Sequence, residues 1–242
     1  MEFLFSLVRK KKGYSKCMTI FVGLDLSLVS PGIAVHNTTT GSWVLYGFVQ
    51  RVREQQFTCS HQSTRIHLFP AIPRVDATNE ERYEHIRHHI VDCILHPLLP
   101  TTERVVIGIE CYAFGTKNSG SSYKLQELGG VLKHEIWRRF PTWQQVIIPP
   151  TQWKKQALNN GRATKSDALG FITSNGPCIS LLSVLGLVVT KNGDIPCPAQ
   201  DLADAACIVL SLVRPIAEKQ KTKKRKRQPV KFPASDHEKD QV

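Results

Sequence analysis

Residues 18–36 read MTIFVGLDLSLVSPGIAVH. The first seven form a continuous apolar run of strand length, and the run stops at Asp25. Pro31-Gly32 then turns the chain into a second β-rich piece from Ile33 to His36, and WVLYGFV at Trp43 to Val49 supplies a third. Three short strands joined by turns predict an antiparallel meander. Residues 50–78 are polar with scattered proline and read as an irregular connection.

Asn79 is the expected cap of a helix that carries Tyr83, Ile86, Ile90 and Ile94 on one face. Arg104 to Ile109, RVVIGI, is a buried-type strand that ends at Glu110, and a helix follows over about Ser121 to Arg139. Gln145 to Ile148 makes a strand closed by Pro149-Pro150. Residues 151–176 read as a loop leading to a helix that begins near Lys165, residues 177–198 as an apolar insertion broken by Gly and Pro, and the last helix runs from about Ala199 to just before Pro215. The order β-β-β-α-β-α-β-α predicts a mixed α/β fold with a five-stranded sheet flanked by helices.

Four acids stand where these elements end or begin. Asp25 closes the first strand and Glu110 the fourth, while Asp201 and Asp204, at i and i+3, share one face of the last helix. Taken singly, each has an ordinary explanation as a turn former or a helix-dipole partner. Taken together, in Asp-x-x-Asp-Ala on an otherwise apolar helix and at the ends of apolar strands, they predict one convergent site. Carboxylates crowded in this way repel unless divalent cations neutralise them. Oxygen-only ligands suit Mg²⁺ or Mn²⁺, and a pair of such ions is a template for phosphodiester hydrolysis.

These residues resemble RuvC-type Holliday junction resolvases, particularly the phage and viral branch. The matching stretches are Gly23-Leu24-Asp25-Leu26-Ser27 with Pro31-Gly32-Ile33-Ala34; Ile109-Glu110-Cys111-Tyr112-Ala113-Phe114 with Lys117-Asn118; Leu128-Gly129-Gly130-Val131; Pro150 through Lys154 to Gly161-Arg162-Ala163-Thr164-Lys165; and Asp201-Leu202-Ala203-Asp204-Ala205. They occur in the family's order over roughly residues 18–213. G-x-D-x-S alone also opens the first phosphate loop of actin-like ATPases, but no second loop of Asp-x-Gly type and no adenosine motif accompanies it here. The resemblance implies an RNase H-like fold, with Asp25, Glu110, Asp201 and Asp204 as catalytic ligands of two Mg²⁺ or Mn²⁺ ions. It also implies a symmetric homodimer that hydrolyses one phosphodiester in each of two opposed strands of a four-way DNA junction. Other branched DNA, an RNA–DNA hybrid, or noncatalytic nucleic-acid binding are the alternative functions.

Phe114, in FGTKN, is an aromatic able to stack on an unpaired base, a contact worth about 1 to 3 kcal/mol. In the resembling family an aromatic in this loop wedges the junction. One extra residue separates Glu110 from Phe114 relative to the bacterial pattern, so Tyr112 shares the candidacy. Lys117, Lys154 and Lys165 recur at family-like positions as phosphate contacts, with Lys155 an alternative to Lys154. Gly129-Gly130 inside a helix costs about 1 kcal/mol per Gly relative to Ala unless close packing requires it; approach of a second chain is the preferred explanation, and helix-to-sheet packing the other. His85, His89 and Cys93 have a spacing that can bind zinc but lack a fourth ligand.

The chain of 242 residues carries a net charge of +12 with an unremarkable 41% hydrophobic content. Partition relocates that charge: residues 1–17 hold +4, residues 214–231 hold +8 and residues 232–242 hold −2, which leaves +2 for residues 18–213. The expected organisation is therefore a basic N-terminal extension (1–17), one nuclease domain (18–213) and a disordered basic tail (214–242). The tail includes KQKTKKRKR from Lys219 to Arg227, in which Lys223, Lys224, Arg225, Lys226 and Arg227 are candidate DNA contacts or a signal for a nuclear import receptor. Seven cysteines without a C-x-x-C pair point to a reducing compartment rather than a disulfide framework. No stretch approaches the roughly 20 apolar residues of a membrane span, and the short apolar start followed by bases reverses the order of a secretory signal. The nucleus is the expected location, with a mitochondrial or viral setting as alternatives.

Overall fold

The computed structural model describes residues 19–49, 54–59, 63–72, 77–100, 103–111, 119–178, 181–188 and 196–213. The opening run forms β1 (Thr19–Asp25), antiparallel to β2 (Gly32–Asn37), which is antiparallel to β3 (Trp43–Val49), so the meander forms as expected. β6 (Arg104–Glu110) lies parallel to β1, and β7 (Gln144–Ile148) parallel to β6.

The sheet has seven strands rather than five, because residues 50–78 are not wholly irregular. β4 (Gln55–Cys59) and β5 (Thr64–Pro70) form a hairpin on the outer edge, with β5 parallel to β3 and the full order β4-β5-β3-β2-β1-β6-β7. TRIHLFP alternates as a half-buried strand should: Thr64, Ile66 and Leu68 face inward while Arg65 is exposed and His67 half-buried. The charged and imidazole side chains at alternate positions broke the apolar run that identified the other strands.

Helices cover both faces. On one lie α1 (Asn79–Arg87), which continues through a wider π-type winding (His88–Leu95) and a short 3₁₀ turn (His96–Leu98), and α2 (Ser119–Arg139). Ile86, Ile90 and Leu95 pack there with Leu128, Leu132 and Ile136 over Val22, Leu24, Ile33 and Ile107. Thr78, not Asn79, caps α1: its hydroxyl accepts from the Glu81 N–H at 3.2 Å, and the Glu81 carboxylate accepts from the Thr78 N–H at 2.7 Å.

The opposite face carries α3 (Pro150–Leu158), α4 (Lys165–Asn175), α5 (Leu181–Leu185) and α6 (Ala199–Val213). α3 replaces the expected loop. Pro150 begins it, a position where the missing N–H costs nothing, and only Trp153 and Ala157, one turn apart, are buried. α6 is buried nearly all round, as its composition requires. Two strand glycines let it approach. A Cβ on Gly32 would stand 2.1 Å from the Asp201 carbonyl oxygen, and one on Gly23 would stand 2.4 Å from that of Ala205. Gly47 gives room to Leu202 of the same helix and to Pro198 just before it, and Gly108 to Ile208 and Leu212. Glycines in four neighbouring strands thus seat α6 directly on the sheet, and that contact sets where its acids lie. The mixed α/β class expected from the sequence is present, with the β4–β5 hairpin and α3 added to the expected element order.

Candidate active site

Leu24 pairs with Ile109 across the parallel β1 and β6, so Asp25 and Glu110 follow as neighbours at the carboxyl ends of adjacent strands. Asp25 also pairs with Gly32, the residue on which the Asp201 backbone rests. The packing of α6 therefore carries Asp201 and Asp204 toward the strand-end acids, near enough for the charges of both to act on Asp25 and for that of Glu110 to act on Asp204.

Their electrostatics are those of an unneutralised acidic centre. Burial, then the charge of Glu110 and a hydrogen bond with it, then the charges of Asp204 and Asp201, hold Asp25 well above the usual carboxylate range. Burial and next the charge of Glu110 push Asp204 up to about 7, against the pull of Lys154 and Lys165. Burial also raises Asp201, opposed by hydrogen bonds from Ser30 and Cys197 and by the charge of Lys165. One oxygen of Asp201 and one of Asp204 are buried without a hydrogen-bond partner. Such an orphan costs about 1 to 3 kcal/mol, more for a charged group.

The surrounding residues fix the acids in place. Ser27 accepts from the N–H groups of Val29 and Ser30 at 3.3 and 3.2 Å and so shapes the turn after β1. The Ser30 hydroxyl, which serves Asp201, also lies 3.1 Å from the Phe48 carbonyl oxygen and can donate to one or the other. Arg82, buried on α1, donates to the Leu28 carbonyl of the same turn. Trp153 on α3 points its indole N–H at Glu110 Oε1, 3.3 Å away. Beside Glu110 opens a cleft of about 230 Å³, lined by Ile109, Cys111, Gln126, Gly129, Lys133 and Ile147. Ser30, Arg82, Trp153 and Cys197 went unrecognised in the sequence, since only their tertiary position marks them. The one available signal was Trp153, a tryptophan among Lys and Gln in a stretch read as loop.

The charges of Lys154 and Lys165 both lower the pKa of Asp204. Tyr112, Phe114, Lys117 and the basic residues Lys223, Lys224, Arg225, Lys226 and Arg227 lie outside the described residues. Gly130 faces open space, with nothing within 4 Å of a Cβ placed there, so helix-to-sheet packing does not explain it. Gly129 is buried and lines the cleft. His85 bonds the Pro70 carbonyl, His89 the His85 carbonyl, and Cys93 touches His88 instead of His89, which gives these residues structural roles.

Magnesium or manganese is the group such acids imply, and the residues fit it in donor chemistry. They are all oxygen, Asp201 is raised by burial and Asp25 and Asp204 by burial together with repulsion from neighbouring acids, and two buried oxygens lack partners. In the conformation described Asp25 and Glu110 bond to each other. Among the described residues no three His, Cys, Asp or Glu side chains are gathered closely enough there to hold an ion.

No family model matches the chain, and no curated protein matches it. Among solved structures it is similar to Thermus thermophilus RuvC, at 18% identity and a TM-score of 0.45, over 79% of this chain and 92% of that one. The same protein in complex with a Holliday junction substrate matches at 18% identity and 0.45, over 80% and 91%. The yeast mitochondrial Holliday junction resolvase Ydc2 matches at 9% identity and 0.48, over 80% and 77%. Among the described residues no helix is long and apolar enough to cross a membrane.

Proposed function

We propose that the chain is a divalent-metal-dependent endonuclease that cuts branched DNA, above all four-way junctions, and works as a homodimer. One observation carries this reading: acids from two strand ends and one helix lie near enough to act on one another in a buried setting, where one oxygen of Asp201 and one of Asp204 lack a hydrogen-bond partner and the charges of Lys154 and Lys165 reach Asp204. A protein that only bound nucleic acid would gain nothing from buried acids facing phosphate. Asp25, Glu110, Asp201 and Asp204 would hold Mg²⁺ or Mn²⁺, two ions per site. When bound, such ions lower the pKa of the attacking water and stabilise the leaving 3′ oxygen.

The chain's own residues supply the rest. Lys154 and Lys165 border the acids with positive charge and would hold a phosphate against them. Trp153 orients Glu110, and the turn built on Ser27 carries the backbone away from Asp25. On α2 the exposed Tyr123, Val131 and Trp137 form a surface that supports pairing with a second copy, and two opposed cuts call for two sites. The domain bounds expected from the sequence, 18–213, belong to this proposal, as do Phe114 or Tyr112 as a stacking wedge. The tract from Lys223 to Arg227 would tether DNA or engage an import receptor.

The test is nicking of a synthetic four-way junction, a flap and an RNA–DNA hybrid with Mg²⁺ or Mn²⁺. The reading expects paired nicks in the junction that vanish in Asp204→Asn while binding persists. Equal cleavage by wild type and Asp204→Asn sinks it, and preference for the flap or hybrid moves the substrate class.

A further inference from the structure

We infer that Trp153 is a positioning residue for Glu110: its buried indole N–H holds one oxygen of the carboxylate that would take a metal ion. The inference rests on the metal-dependent reading given above and assigns part of that site's construction to a residue outside its acids.

Three observations lead there. Trp153 is only 1% exposed, among the largest fully buried side chains, and its ring packs into the core shared with α4 and α6. A ring so enclosed has little freedom to turn, so the direction of its N–H is set by packing rather than by the site. That N–H meets Glu110 Oε1 at 3.3 Å. An indole has one donor and no acceptor, and burying it unpaired is costly, so core packing and the carboxylate's orientation are tied together.

The geometry also divides the work at Glu110. The carboxyl group meets the indole from α3 and the Asp25 carboxyl from β1. Lys154, the next residue of α3, has its ammonium 5.5 Å from the centre of the Trp153 ring, and its charge reaches Asp204. One turn of one helix thus serves two of the four acids: the indole fixes Glu110, and the ammonium offsets the charge of Asp204. Groups that hydrogen-bond a metal-ligating carboxylate typically change metal affinity 10- to 100-fold when removed.

Trp153→Phe tests this, since it keeps most of the ring and deletes the donor. Manganese binding to the full chain is measured by calorimetry, beside thermal melting of the same samples. The expected result is an affinity for Mn²⁺ about 10-fold weaker or more, with little loss of melting temperature. Adding Trp153→Phe to Glu110→Gln should then weaken binding no further. Wild-type affinity in a folded Trp153→Phe protein overturns the inference and leaves the metal reading intact. Absence of Mn²⁺ binding by the wild type overturns both.

A second measurement serves if Trp153→Phe does not fold. The indole ¹⁵N–¹H resonance of Trp153, identified by elimination with Trp43→Phe, Trp137→Phe and Trp143→Phe, should move on Glu110→Gln and again on Mn²⁺ addition to the wild type. A resonance indifferent to either change overturns the inference.

Discussion

The two faces of the sheet treat their acids in opposite ways. Between α1 and α2, Glu135 is bound by Arg138 and Arg139 at 2.8 and 2.5 Å, and Arg87 reaches both Glu84 and Asp92. The hydrogen bond from Arg138 leads in drawing Glu135 down to about 2, and at Asp92 the pull of His88 and Arg87 outweighs burial and lowers it as well. Across the sheet Asp25, Asp201 and Asp204 are all raised, and the nearest cations, Lys154 and Lys165, offset the strain without cancelling it. A fold that pairs the acids of one face with guanidinium groups does not leave three unpaired on the other through lack of means. That difference supports the proposed role of the second set as ligands for a cation from outside the chain.

The sharpest way to break this contrast is to neutralise one acid from each face. Asp204→Asn should reduce junction cleavage by about 10²- to 10³-fold or more, and Asp92→Asn should leave it within a few-fold in the same nicking assay. Similar losses from both would mean that the two sets do not differ in kind.

The pH response separates them next. Asp204 is raised to about 7, so its contribution to stability is fully present below the unfolded value, near 4, and is lost as pH rises through about 7. Metal-free protein should therefore lose up to about 4 kcal/mol between pH 4 and pH 8 from this group, and millimolar Mg²⁺ should restore much of it. Glu135 works in reverse, since its stabilisation is present above its unfolded value and lost as pH falls toward about 2. Melting curves from pH 5 to 8 in EDTA and in Mg²⁺ test this, and a melting temperature that rises with pH in EDTA contradicts it.

Seating of α6 comes third. Gly32→Ala puts a methyl group into the Asp201 carbonyl and should cost about 1 to 3 kcal/mol by overpacking, with cleavage falling further than stability because Asp201 is displaced. Chemical denaturation beside the nicking assay separates the two effects. The smallest change in cleavage is expected for Glu135→Gln, which removes one carboxylate of the α1–α2 arginine network and should lower stability while leaving cleavage unchanged.

Much of the acidic centre was legible because its logic is local. An apolar run that stops at Asp25, a second that stops at Glu110, and Asp-x-x-Asp on a helix too apolar to be exposed each announce themselves in the sequence. What escaped depends on contacts distant along the chain. β5 hid its inward Ile66 and Leu68 behind Arg65 and His67, and α3 hid behind Pro149-Pro150, read as a stop where Pro150 in fact starts a helix. Trp153 showed its partner only once α3 lay beside β6, and Gly23, Gly32, Gly47 and Gly108 revealed a common purpose only with α6 upon them.

The account turns on whether the strand-end acids gather a cation as the α1–α2 acids gather arginines. Anomalous diffraction from crystals of the protein soaked in Mn²⁺ asks this directly. The account predicts manganese density among Asp25, Glu110, Asp201 and Asp204, with the Trp153 bond to Glu110 retained. Crystals that hold manganese elsewhere and leave these four carboxylates bare would contradict it.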